Sequence, residues 1–154
     1  MHIIGYPNFL VGTMKLTEYI KENTRRGPMS KPRTVYEAIG GQEAVDKIVQ
    51  SLYKHIGKHP DLIPIFPEDL TESAYKQGLF LTQFFGGPKL YLEERGHPML
   101  KRRHLEFVIT PTRGDAWLEC MAKALEEANI EEPYRTAIME RLTMTAYHMQ
   151  NTEE

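Results

Sequence analysis

Apolar residues recur every three to four positions in four long segments of this 154-residue chain. A spacing near 3.6 residues puts such positions on one face of a helix, so the pattern indicates amphipathic helices around a shared core. The clearest stripe runs from Ala44 to Ile56 and is followed by Pro60 and Pro64, which are expected to end that helix. The β-prone run at 107–110 is short and isolated and predicts a connector. The sequence therefore predicts an all-α domain with about five main helices.

Glycines, prolines and capping residues predict where the other helices begin and end. Asp69 and Glu72 have the spacing of a capping box, so a helix is expected to start there and to stop at the Gly-Gly-Pro run of 86–88. Residues 87–97 show no sustained period and predict a loop. Pro98 predicts the first turn of a short helix that ends near His104. Two long helices are predicted around the apolar positions 117–128 and 134–149.

Residues 1–32 differ from the remainder of the chain. They contain Pro7, the run Arg25-Arg26-Gly27-Pro28 and Pro32, and they show only one short helical pattern. Met14 and Met29 are alternative start positions. We expect residues 1–32 to be an extension that is mobile in part, followed by one domain at 33–154.

The net charge, the lack of long apolar runs and the single cysteine limit the partners and the cellular compartment that we expect for this chain. Lys and Arg number 19 against 21 Asp and Glu, a net charge of −2, which gives no electrostatic reason to expect nucleic acid or an acidic membrane surface. No apolar run approaches the roughly 18 residues of a membrane span, and the N-terminus lacks a secretory signal pattern. The single cysteine, Cys120, excludes an intramolecular disulfide. We therefore expect a cytoplasmic protein that binds neither nucleic acid nor membrane.

Common catalytic motifs are missing from the sequence, including phosphate loops and paired-histidine zinc sites. The six histidines are scattered, and His97 and His104 have no evident third partner for zinc. His104 follows two arginines at the end of a short predicted helix. One imidazole beside an apolar slot can hold haem iron, but on spacing alone a surface histidine is the more ordinary interpretation.

Three side chains that can donate hydrogen bonds lie among apolar positions. Tyr53 is on the buried stripe of its helix, Gln77 shares a face with Ser73 and Phe80, and Trp117 is the only tryptophan. An unpaired buried amide or hydroxyl is costly, so such residues need partners. Taken singly, a core tyrosine, a rim glutamine and a packing tryptophan remain the ordinary interpretations.

The order and spacing of five stretches decide between these alternatives. They are YEAIG at 36–40, IFPEDL at 65–70, FLTQFFGGP at 80–88, GHPMLKRRH at 96–104 and DAWLECM at 115–121. Over about 35–151 the chain closely resembles the group II truncated haemoglobins. The resemblance implies a sandwich of two helices over two helices around haem b.

The resemblance also implies roles for matched positions. It makes His104 the iron ligand. On the opposite, ligand-binding side of the haem, called the distal side, it places Tyr53, Ser73, Gln77 and Trp117. Positions that commonly meet the haem propionates are Lys76, Tyr91 and Arg103. The walls of the haem pocket are expected to be Phe66, Phe80, Leu81, Leu105 and Phe107. Two departures from the family pattern are Gly78 inside the distal helix and the small Ser73, which leaves a side entrance to the pocket.

Three functions remain to be distinguished. The resemblance implies a five-coordinate iron that binds O₂, CO, NO or other small ligands. Three donors beside the ligand predict slow release of oxygen, which favours redox chemistry or sensing over bulk transport. The alternative is a haem enzyme, such as an NO dioxygenase or a peroxidase-like protein, served by a reductase that the sequence does not identify. The third is a haem-free helical interaction domain. Either a monomer or a homodimer is compatible with the sequence.

Overall fold

The computed structural model describes residues 33–154, so the extension expected at residues 1–32 lies outside the described residues. Within 33–154 all regular structure is helical, which confirms the all-α class. The helices are α1 (Val35–Ile39), α2 (Gly41–Ile56), α3 (Thr71–Phe84), α4 (Leu90–Arg95), α5 (Leu100–His104), α6 (Pro111–Glu127) and α7 (Tyr134–Met149), with a 3₁₀ turn at Ile63–Ile65. None of these helices is long and apolar enough to cross a membrane.

Four long helices form two layers. Helix α2 packs on α3, α6 packs on α7, and α2 lies against α6. The apolar stripe predicted for α2 is buried at this junction, and α2 ends at Ile56, before Pro60. The core between the layers contains large, fully buried side chains: Ile48, Leu52, Leu81, Met121, Leu125 and Leu142. Burying each side chain of this size contributes about 1.5–3 kcal/mol. The two-over-two arrangement therefore follows from the amphipathic pattern.

The Gly-Gly-Pro run after α3 lets the short helix α1 pack closely. The backbone N–H of Tyr36 donates to the carbonyl of Phe85 at 2.8 Å, which ties α1 to the end of α3. The Tyr36 ring lies directly on Gly87, where an added Cβ would be 2.7 Å from the ring. Because real Cβ atoms do not approach so closely, position 87 requires glycine for steric reasons.

Three predictions for the segment 69–104 are wrong in detail. Residues 87–97 contain helix α4 rather than only a loop. Helix α3 starts at Thr71, within the expected segment, but without the expected capping box, because Asp69 accepts from the Thr71 N–H at 3.0 Å in a local turn. Its supposed capping partner, Glu72, instead pairs with Lys76 at 3.0 Å. Helix α5 starts at Leu100, so Pro98 precedes the helix instead of forming its first turn.

Candidate functional site

A cavity of about 460 Å³ is bounded by residues from both helical layers. All four long helices contribute to its lining, as do α4, α5 and the 3₁₀ turn. Its volume is within the ~300–1,000 Å³ typical of small-molecule and cofactor pockets. The residues predicted for the site therefore have a common enclosed space to face.

His104 lines this cavity at the end of α5 and has one nitrogen already engaged. Its Nδ1 lies 2.7 Å from the carbonyl oxygen of Leu100, one helical turn earlier. A carbonyl can only accept, so Nδ1 is the nitrogen that donates; in the neutral ring with this tautomer, Nε2 carries the lone pair. A histidine that ligates a metal typically has this arrangement, with the second nitrogen donating to a backbone carbonyl. The backbone contact therefore fixes one side of the His104 ring and leaves Nε2 as the nitrogen that could bind a metal.

The three predicted hydrogen-bond donors line the same cavity, although they come from three different helices. Tyr53 of α2, Gln77 of α3 and Trp117 of α6 all line it, and none of their side chains makes a hydrogen bond to another residue of 33–154. Burial raises the pKa of the Tyr53 hydroxyl above its ordinary value, so the hydroxyl remains protonated at neutral pH. The edge of its ring meets Phe66 with the centroids 6.1 Å apart. Ser73, expected beside them, also lines the cavity.

Cationic and aromatic groups line another part of the cavity. Lys76, Tyr91 and Arg103 are all present, as expected. The Arg103 guanidinium lies over the Tyr91 ring, 5.6 Å from its centroid, and donates to the Arg95 carbonyl at 3.3 Å. Tyr91 in turn meets Phe80 edge-on at 6.3 Å. Such groups suit a ligand that has an apolar body and carboxylate substituents.

Two expected wall residues lie elsewhere. Leu81 is fully buried in the core between the layers and does not line the cavity. Side chains one position apart on a helix point about 100° apart, so when Phe80 faces the cavity Leu81 faces the core. Leu105 follows the last residue of α5 and is 60% exposed. Phe66, Phe80 and Phe107 do line the cavity, as expected.

The structure adds lining residues that the sequence reasoning missed. On α7 these are Leu142, Thr145, Ala146 and Met149, and on α6 they are Arg113 and Gly114. The spacing of Leu142, Thr145 and Met149 on one helical face was a signal that could have identified them. Arg113 had no such signal, because its role depends on how α6 begins, where it donates to the Val108 carbonyl at 2.7 Å.

Comparison with known proteins gives the family. The model of the bacterial-like globins matches residues 34–151. Group 2 truncated haemoglobin YjbI of Bacillus subtilis is 52% identical over 119 residues, which cover 77% of this chain and 89% of that protein. The crystal structure of the group II truncated haemoglobin from Bacillus anthracis matches with a TM-score of 0.80 and 52% identity, covering 81% of this chain and 96% of that chain.

A second solved structure agrees with the first. The truncated oxygen-avid haemoglobin from Bacillus subtilis matches with a TM-score of 0.75 and 51% identity, and the match covers 77% of this chain and all of that chain (100%). The family model, the relative and the solved structures all match the part of the chain that forms the helical domain described above. The resemblance to the group II truncated haemoglobins is confirmed, and this chain belongs to the bacterial-like globin family.

Proposed function

We propose that this chain holds haem b through Nε2 of His104 and binds O₂ and other diatomic ligands beside Tyr53, Gln77 and Trp117. Membership of the globin family supports haem-based ligand binding in general. The observation that carries the more specific proposal is the His104 Nδ1–Leu100 carbonyl contact of 2.7 Å inside a cavity with three unpaired donors. One side of the ring is fixed by the backbone, and the other remains available to a metal.

The lining residues fit a haem group. Phe66, Phe80 and Phe107 provide apolar and aromatic surface for the porphyrin. Lys76 and Arg103 provide cations for the two propionates. When bound, the haem supplies a ferrous iron that binds diatomic gases reversibly and can exchange electrons. Among the described lining residues His104 is the sole histidine, which supports an iron with an open sixth position.

The donors in the cavity favour retention of a ligand that carries negative charge. The Tyr53 hydroxyl, the Trp117 indole N–H and the Gln77 amide can each donate, and none has a competing partner within 33–154. A hydrogen bond to a charged acceptor contributes about 1.5–3 kcal/mol, and more in a cavity shielded from water. We infer slow ligand release, suited to redox chemistry or sensing. The Bacillus subtilis relative is itself described as oxygen-avid.

A haem enzyme is the second candidate. The same three donors would also polarise the O–O bond of a peroxide, so NO dioxygenase or peroxidase-like turnover is compatible with the cavity. Either reaction needs electrons from a reductase or a reducing substrate. Consumption of NO or peroxide over many turnovers, with an added reductase, distinguishes enzyme from binding protein.

Absorption spectroscopy of hemin-reconstituted protein tests the main proposal. We expect the parent chain to show a haem Soret band and, after reduction, a five-coordinate ferrous spectrum. His104→Ala should lose stable haem binding, because no second imidazole lines the cavity among residues 33–154. The matched control is His148→Ala, which changes an exposed histidine on α7 outside the cavity lining. A parent-like five-coordinate ferrous spectrum in His104→Ala would refute the assignment.

A further inference from the structure

The C-terminal residues beyond α7 fold back on the segment that follows His104. We call residues 105–110, between α5 and α6, the proximal loop. The Asn151 N–H donates to the Ile109 carbonyl at 3.0 Å, and the Thr152 N–H donates to the same oxygen at 3.2 Å. In return, the Ile109 N–H donates to Oδ1 of Asn151 at 3.0 Å. Two residues near the end of the chain, Asn151 and Thr152, therefore contact a loop more than 40 positions earlier.

The side-chain amide of Asn151 reaches His104 itself. Its Nδ2 donates to the His104 carbonyl at 3.1 Å and to the Phe107 carbonyl at 2.9 Å. The amide orientation follows from its partners, because Oδ1 accepts from the Thr152 hydroxyl at 2.8 Å as well as from the Ile109 N–H. Oδ1 thus faces two donors, and Nδ2 faces two carbonyl oxygens.

The end of the chain is anchored independently of Asn151. Glu154 accepts from the Thr112 N–H at 2.6 Å, in the first turn of α6. The Gln150 side chain packs on Gly114, where an added Cβ would be 3.0 Å from its Nε2. These contacts on both sides fix the position of Asn151 even though it lies at the surface. Asn151 is consequently a fixed partner for the proximal loop.

Helix α5 needs such a partner. It has only five residues, and so short a helix has little stability of its own. His104 is its last residue, and the His104 carbonyl accepts from both the Phe107 N–H at 3.0 Å and Asn151. The imidazole is fixed by Leu100, whereas the backbone that bears it is fixed by Asn151. Loss of either contact allows the ring to tilt.

We propose that Asn151 is a positioning residue, which sets the angle at which His104 meets the iron and holds Phe107 against the haem pocket. This inference rests on the proposed haem ligation by His104. It predicts that changes at position 151, outside the cavity lining, alter the bond between iron and histidine. A residue that only stabilised the fold would leave that bond unchanged in the folded protein.

Two substitutions separate the functions of the amide. Asn151→Ala removes every side-chain hydrogen bond, whereas Asn151→Asp keeps an oxygen for the Ile109 N–H but places a second oxygen against the two carbonyls. The control is Asn129→Asp, the same chemical change at an exposed residue just beyond the far end of α6. Each full-length variant is reconstituted with hemin and reduced. Resonance Raman spectroscopy gives the iron–histidine stretching band, and transfer to apomyoglobin gives the rate of haem loss.

We expect the iron–histidine band to shift and broaden in both Asn151 variants and haem loss to accelerate by about tenfold, as for other groups that orient metal ligands. Asn129→Asp should match the parent in both measurements. An iron–histidine band identical to that of the parent in Asn151→Ala and Asn151→Asp would overturn the positioning role, even if thermal stability fell. A parent chain that binds no haem would instead overturn the proposed function, and this inference with it.

Hydrogen exchange of the haem-free protein tests the contact itself. The amides of Ile109 and Thr152 should exchange slowly in the parent, because each donates within the folded-back segment. These amides should exchange faster in Asn151→Ala, and their exchange rates in Asn129→Asp should equal those of the parent. Equal exchange in all three proteins would show that Asn151 does not hold the proximal loop, and would overturn the proposal.

Discussion

Tyr53 is partly buried where it lines the cavity, and its hydroxyl makes no hydrogen bond to another residue of 33–154. Its ring packs against Phe66 in an edge-to-face contact, and burial raises the pKa of the hydroxyl above its ordinary value. A desolvated donor of this kind interacts weakly with water and strongly with a negatively charged ligand. The properties of this one residue therefore support ligand retention.

Replacing Tyr53 with Phe should accelerate oxygen release. The lost hydrogen bond is worth about 1.5–3 kcal/mol, which corresponds to a roughly 10- to 150-fold faster dissociation rate. Stopped-flow displacement of O₂ by CO measures this rate. Tyr147→Phe is the control, because Tyr147 is exposed on α7 and does not line the cavity. A rate for Tyr53→Phe equal to that of the control would mean that the hydroxyl makes no bond to the ligand.

The site residues were predictable where residue type and helical face agreed with the family pattern. Tyr53, Gln77 and Trp117 satisfied both conditions, and all three line the cavity. Leu81 has the apolar residue type of a pocket wall, but it lies on the other face of α3. Its direction depends on which side of α3 packs against the core. Arg113 could not be inferred from sequence, because it acts only where the backbone of the proximal loop places the Val108 carbonyl.

At the scale of elements, glycines divide into those that the fold requires and those that it tolerates. Gly78 lies inside α3, where an added Cβ would meet only Val49 at 3.9 Å. Gly87 lies in the turn after α3, where an added Cβ would be 2.7 Å from the Tyr36 ring and 2.9 Å from the Thr82 carbonyl oxygen. The contact at Gly78 is an ordinary van der Waals distance, whereas the contacts at Gly87 are too short unless neighbouring atoms move.

We therefore expect opposite effects from two alanine substitutions. Gly78→Ala should stabilise the protein by about 0.5–1 kcal/mol, because alanine favours the helix interior and fits without strain. Gly87→Ala should destabilise it by about 1–3 kcal/mol through overpacking against Tyr36. Urea unfolding followed by circular dichroism measures both. If Gly78→Ala proved destabilising, then α3 would not tolerate a side chain at that position.

Long helices were predictable, and short ones were not. The period of α2 extends over four turns and gives a repeated signal, whereas α4 has six residues and completes fewer than two turns. Tertiary contacts define α4 instead: the Leu92 N–H donates to the Gln83 side chain at 2.9 Å, and Tyr91 is buried beside Phe80. Such contacts join residues that local sequence patterns treat separately.

At the scale of the whole molecule, one acidic residue of α6 joins the two layers. Glu127, the last residue of α6, accepts from the Ser51 hydroxyl and lies 2.9 Å from Nε2 of His55 and 3.1 Å from Nζ of Lys54. These three partners all belong to α2. Their hydrogen bonds, that of Ser51 first, lower the pKa of Glu127 to about 2. Ionised Glu127 thus holds the end of α6 against α2.

This contact predicts how stability depends on acid. A carboxylate whose pKa is about 2 in the folded state and 4.5 ordinarily stabilises the fold fully above pH 4.5, and the stabilisation is lost as the pH falls toward 2. Glu127→Gln should therefore lower the urea midpoint at pH 7, and the difference from the parent should shrink between pH 4.5 and pH 3. The control is Glu126→Gln, a change at an exposed neighbouring residue of α6, and its urea midpoint should match that of the parent at every pH. If the difference between Glu127→Gln and the parent were as large at pH 3 as at pH 7, the charge of Glu127 would not join the layers.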